Sequence, residues 1–116
     1  MKFKLPSLRK EYNEELHYVV QHVLIMIDMA VKLLGGELTV TSIMREKGEK
    51  PSFHPLGQAA DIRTKDMKRN CLTAVISVLA VVGHYNKKIQ FEHEDIGKDN
   101  DHIHIEYDTK PDTMPV

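Results

Sequence analysis

A chain of 116 residues is long enough to close one compact core and too short for two. Its 41% hydrophobic and 28% charged residues, with a formal net charge of −1, describe an ordinary globular domain. They exclude the strongly basic surface that nucleic-acid binding requires.

The start, MKFKLPSLRKEYNEE, turns polar where a secretory signal would run apolar, so the chain is expected to begin its life in the cytoplasm. Between residues 11 and 34, Leu16, Val19, Val23, Ile27, Ala30, Val31 and Leu34 recur three or four apart. That spacing predicts a helix, stopped by Gly35-Gly36. Met26, Met29 and Met44 are read as core filler. Gln21, His22, Asp28 and Lys32 interrupt the apolar stretch, and no run reaches the roughly 20 residues of a membrane span. Residues 37–43, rich in Thr and Val, predict a strand; 45–52 form a polar loop with Gly48 and Pro51. A short strand is expected at 59–62. Residues 65–85 predict a buried helix, with Asp66 in its first turn and Gly83 near its end. Cys71, the only cysteine, falls in this apolar run, so it has no disulfide partner in the chain and is expected to pack in the core. Residues 89–94 and 102–107 alternate as two strands of a hairpin around Gly97. The expected fold is α+β, with two helices on a small, mostly antiparallel sheet, forming one domain over residues 1–110 and a loose tail at 111–116.

Metal-ligating residue types recur in segments otherwise suited to burial: His54, Asp61 and one member of the pair His102 and His104. On a straight strand His54 and Asp61, seven apart, would point to opposite faces; Pro55, Leu56 and Gly57 supply the bend that lets them converge. Ala59 and Ala60 keep the approach to Asp61 small. His102 and His104 share a strand face, and Ile103 turns into the core. Two imidazoles and one carboxylate make a three-ligand zinc set whose fourth position is left for water, the pattern of catalytic sites. His17, His22, His84 and His93 have no carboxylate or histidine at a telling spacing and are read as helix-surface, helix-end or strand-surface residues.

At these residues a family becomes visible. Ser52-Phe53-His54-Pro55-Leu56-Gly57-Gln58-Ala59-Ala60-Asp61 resembles the S-x-H-x-x-G-x-A-x-D signature of the zinc D-Ala-D-Ala carboxypeptidases, with all five fixed positions matched. Thr41-Ser42-Ile43-Met44-Arg45 resembles that family's T-S-x-x-R segment. His102-Ile103-His104 is similar to its terminal zinc-ligand strand, including the form seen in hedgehog signalling domains. The resemblance runs from residue 39 to residue 107. It implies a hedgehog/DD-peptidase fold, zinc held by His54, Asp61 and His104, and His102 as a supporting or substrate-side residue. Arg45 would grip the substrate carboxylate or the oxyanion, with Ser52 helping to bind substrate. Where the family often carries a glutamate three residues before the last histidine, this chain has Asp101, so the general base is expected there. Glu92 and Glu94, which share a face of the preceding strand, are the alternatives.

The activity so implied is zinc-dependent hydrolysis of peptidoglycan stem peptides, at D-Ala-D-Ala or between L-Ala and D-Glu. A monomeric, phage-type lysis enzyme, released to the cell wall by another protein, fits the expectation of no export signal. The rival function is a zinc-stabilised binding module without catalysis.

Overall fold

The computed structural model describes residues 1–43 and 58–108. Among them are three helices and five strands: β1 (Lys2–Phe3), α1 (Pro6–Glu14), α2 (Tyr18–Leu33), β2 (Thr39–Ser42), β3 (Ala59–Arg63), α3 (Arg69–Tyr85), β4 (Ile89–Glu94) and β5 (His102–Tyr107). The strands form one mixed sheet in the order β1-β2-β3-β5-β4. β1 and β2 run parallel and every other pair is antiparallel. The α+β class and the β4–β5 hairpin are as expected. Met44, the loop at 45–52 and the tail at 111–116 lie outside the described residues. No helix among those described is long and apolar enough to cross a membrane.

The single amino-terminal helix expected up to residue 34 is instead two. Leu16 continues the apolar spacing because it is buried, yet the chain leaves the helix there. The break is held by side chains that satisfy backbone groups orphaned at the two helix ends. His17 caps α2 by accepting from the Val19 amide at 3.1 Å, and the Gln21 amide donates to the carbonyls of Tyr12 and Leu16. Val20, Val23, Leu24, Ile27 and Val31 form the buried face of α2. Met26 and Met29, expected as core filler, are exposed. Asp66 is not in the first turn of α3 either: it sits in the preceding turn at φ 62, a left-handed conformation that Asp tolerates better than most residues.

The helices cover one face of the sheet. Val40, Ala60, Ile62, Ile103 and Ile105 meet α2 and α3 residues including Ile27, Val75 and Leu79 in one apolar core. Cys71 belongs to it, as its sequence surroundings predict. Gly35, with φ +78, ends α2 as glycine readily does. Gly36 is needed for a different reason: a Cβ there would lie 2.8 Å from Cys71 Sγ and 2.9 Å from Val31 Cγ1. Both side chains are buried in the α2–α3 contact, so one of them must shift to admit a methyl group. Gly36→Ala is therefore expected to destabilise the domain by about 1 to 3 kcal/mol through overpacking. Thermal melting checks this, and an unchanged midpoint would mean that the α2–α3 contact relaxes freely.

Candidate functional site

The sheet's other face follows from strand alternation. Ile62, Ile103 and Ile105 point into the core, so their neighbours along β3 and β5 point away from it. The registers then set three cross-strand rows on this face: Ala59, Glu106 and Gln90; Asp61, His104 and Glu92; Arg63, His102 and Glu94. Ala59 lies beside Asp61 here as expected, whereas Ala60 faces the core. β2 borders the face with an irregularity between Val40 and Ser42, where the Thr41 hydroxyl donates to the Asp61 carbonyl at 3.3 Å. The Thr-Ser segment thus fastens the backbone that carries Asp61.

Asp61 and His104, directly paired on neighbouring strands, have Oδ1 and Nδ1 2.8 Å apart. Asp61 is only 3% exposed. Its hydrogen bond is the main cause that raises the His104 pKa above the usual imidazole value; burial opposes it, and Asp61, Glu106 and Glu94 add Coulombic support. The other His104 nitrogen, Nε2, lies 3.2 Å from Glu106 Oε1. An imidazole and a carboxylate side by side are a donor pair suited to zinc. Among the described residues no three His, Cys, Asp or Glu side chains group as a metal site. The third expected ligand, His54, lies outside them, as do Arg45 and Ser52.

His102 differs from His104 in that both of its nitrogens face protein acceptors. Nδ1 donates to the Asn100 carbonyl and Nε2 lies 3.1 Å from Glu94 Oε1. The His102 side chain is 6% exposed, while that of Glu94 is 45% exposed. His102 is therefore placed to steady Glu94, and it offers solvent almost no surface of its own.

Asp101 is held at the opposite side of the sheet. Its carboxylate accepts from the Thr64 hydroxyl, from the Gly97 amide at 2.8 Å and from His93 Nε2 at 2.7 Å. Thr64 and His93 alternate with Arg63 and Glu94, so they lie on the core side. Three residues of separation from His104 reverse the face, and the turn does not undo that reversal. His93, expected to be without a partner, finds one eight residues away across the hairpin.

Burial alone would raise the Asp101 pKa, but the hydrogen bonds from Thr64, Gly97 and His93 and the charge of His93 outweigh it and lower the value from 3.8 to about 2. A carboxylate whose folded pKa is depressed stabilises the fold above its unfolded pKa, and that contribution fades as pH falls through the folded value. Asp101→Asn is therefore expected to melt at a lower temperature than the parent protein at neutral pH. The gap should narrow between about pH 4 and pH 2; a gap that stays constant with pH would show that the ionised carboxylate is not what holds the loop.

Compared with protein-family models the chain matches none, and no curated protein matches it. What speaks for a function is carried by the chain's own residues and by the motif likeness given above. Glu106 went unnoticed in the sequence, although its place two residues after His104 puts both on one strand face and was a legible signal.

Proposed function

We propose that this chain is a zinc peptidase acting on the stem peptides of peptidoglycan, with His54, Asp61 and His104 as ligands. The observation that carries the reading is the 2.8 Å approach of Asp61 to His104 across paired strands, at two positions the peptidase motif assigns to zinc. His102 has both nitrogens engaged elsewhere, which favours His104 as the ligand of the pair. Bound zinc supplies Lewis acidity and lowers the pKa of a water to about 7.

The chain's own groups do the rest. Water adds to the peptide carbonyl carbon and the C–N bond breaks; the water's proton passes through a carboxylate to the leaving amine. Glu94 is best placed for that transfer. It lies on the His104 face, it is reachable from solvent, and His102 holds it in position. Arg45 is assigned to the developing oxyanion or the substrate's carboxylate, tasks for which a planar guanidinium suits. Ser52 is assigned to substrate binding.

Metal analysis of the purified protein, followed by digestion of defined muropeptides and mass analysis of the products, tests the reading. Stoichiometric zinc with release of D-Ala, or with cleavage between L-Ala and D-Glu, is expected. Zinc without cleavage of any stem peptide would favour the binding module instead, and a protein that takes up no zinc would end both readings.

A further inference from the structure

We propose that Glu106 is a positioning residue for His104: it holds the Nε2 proton and so presents Nδ1 to the metal. This inference rests on the zinc reading above. A metal takes an imidazole through an unprotonated nitrogen, and which nitrogen that is depends on what the other one is bonded to. Glu106 Oε1 lies 3.2 Å from His104 Nε2. An ionised carboxylate only accepts, so this nitrogen carries the proton and donates it. Asp61 Oδ1, 2.8 Å from Nδ1, accepts from that nitrogen in the same way; zinc would take the place of the Nδ1 proton between the two strand ligands, while Glu106 keeps the proton on Nε2.

The surroundings suit this task. Glu106 follows His104 by two on β5, so both side chains leave the same face. Its cross-strand neighbours are Ala59 and Gln90, neither of which brings a charge to compete for the carboxylate. Its side chain is 24% exposed against 17% for His104, which keeps the contact partly screened from water. The preceding histidine differs at Nδ1: that nitrogen of His102 donates to the Asn100 carbonyl, a backbone acceptor and not a metal-ligating carboxylate.

The test is zinc affinity, measured by competition with a chromophoric chelator, together with the nitrogen assignment of His104 in the zinc-loaded protein by long-range ¹H–¹⁵N correlation. Glu106→Ala is expected to weaken zinc about 10- to 100-fold while the metal-free variant keeps the parent's circular dichroism and melting. Glu106→Gln retains a carbonyl oxygen that accepts from Nε2 and should lose less than Glu106→Ala. The parent spectrum should show His104 protonated at Nε2 and bound to metal through Nδ1. Parent-like zinc affinity in Glu106→Ala, or coordination through Nε2, would overturn the assignment while leaving the zinc reading standing. A parent protein that binds no zinc would overturn both.

Discussion

His104→Ala and Asp61→Asn should each leave purification without zinc and without peptidase activity, while remaining folded. On the proposed site each removes one of only three protein ligands, and two are too few to hold the ion against water. The loss of affinity should exceed about 100-fold, beyond the usual 10- to 100-fold cost of removing an outer hydrogen-bond partner. Asn at position 61 keeps the shape of a side chain that is 5% exposed and retains an oxygen for neighbouring donors, so the fold is not asked to bury an orphaned group. His102→Gln is the control. Both His102 nitrogens face protein acceptors, so this variant should hold zinc even though it loses contacts worth about 1 to 3 kcal/mol. Metal content by mass spectrometry, with circular dichroism as the check on folding, decides the matter. Zinc retained in His104→Ala and lost in His102→Gln would mean that the other member of the pair is the ligand.

The residues that give these expectations differ in how openly the sequence displays them. The β4–β5 hairpin was legible to the residue, because Ile89, Phe91 and His93 alternate with charged or polar neighbours and both strands are bounded by turn residues. The common face of His102 and His104 follows from the same period of two. Their different surroundings do not: the Asn100 and Glu94 contacts of His102 and the Asp61 contact of His104 depend on register and rotamer. The helix break at residues 15–17 was hidden because Leu16 keeps the apolar spacing intact, and a histidine is not among the usual capping residues. β1 spans two residues, too few to show any period. The His93–Asp101 pair joins positions eight apart, a spacing with no meaning until the hairpin is closed. The same partnership explains why the Asp101 position, matched to the family's glutamate by counting along the chain, lies on the far side of the sheet.

Glu94→Gln is expected to keep zinc and fold yet to slow stem-peptide hydrolysis by roughly 10²- to 10⁴-fold, the usual cost of losing a general base. Glu94 has what the task requires. Its carboxylate shares the face of Asp61 and His104, it is near enough to His104 to help raise that residue's pKa, and it is steadied by His102 Nε2 at 3.1 Å. Glutamine keeps the length and an oxygen but cannot take a proton from water. Glu92 is the nearer residue by register, directly across from His104, but it is exposed and has no hydrogen-bonding partner among the described residues. A side chain that samples many rotamers is a poorer base than one already held, because its ordering must be supplied at the moment of reaction. Glu92→Gln should therefore cost much less than Glu94→Gln. Asp101→Asn completes the series: its three hydrogen bonds all lie toward Thr64, Gly97 and His93, so it should lower the melting temperature and leave turnover of the folded protein close to that of the parent. Initial rates on one muropeptide, normalised to bound zinc, separate the cases. A dead Glu92→Gln beside an active Glu94→Gln moves the base one row along β4. Loss of turnover in a zinc-loaded, folded Asp101→Asn would instead place it in the β4–β5 turn, where the motif likeness first put it.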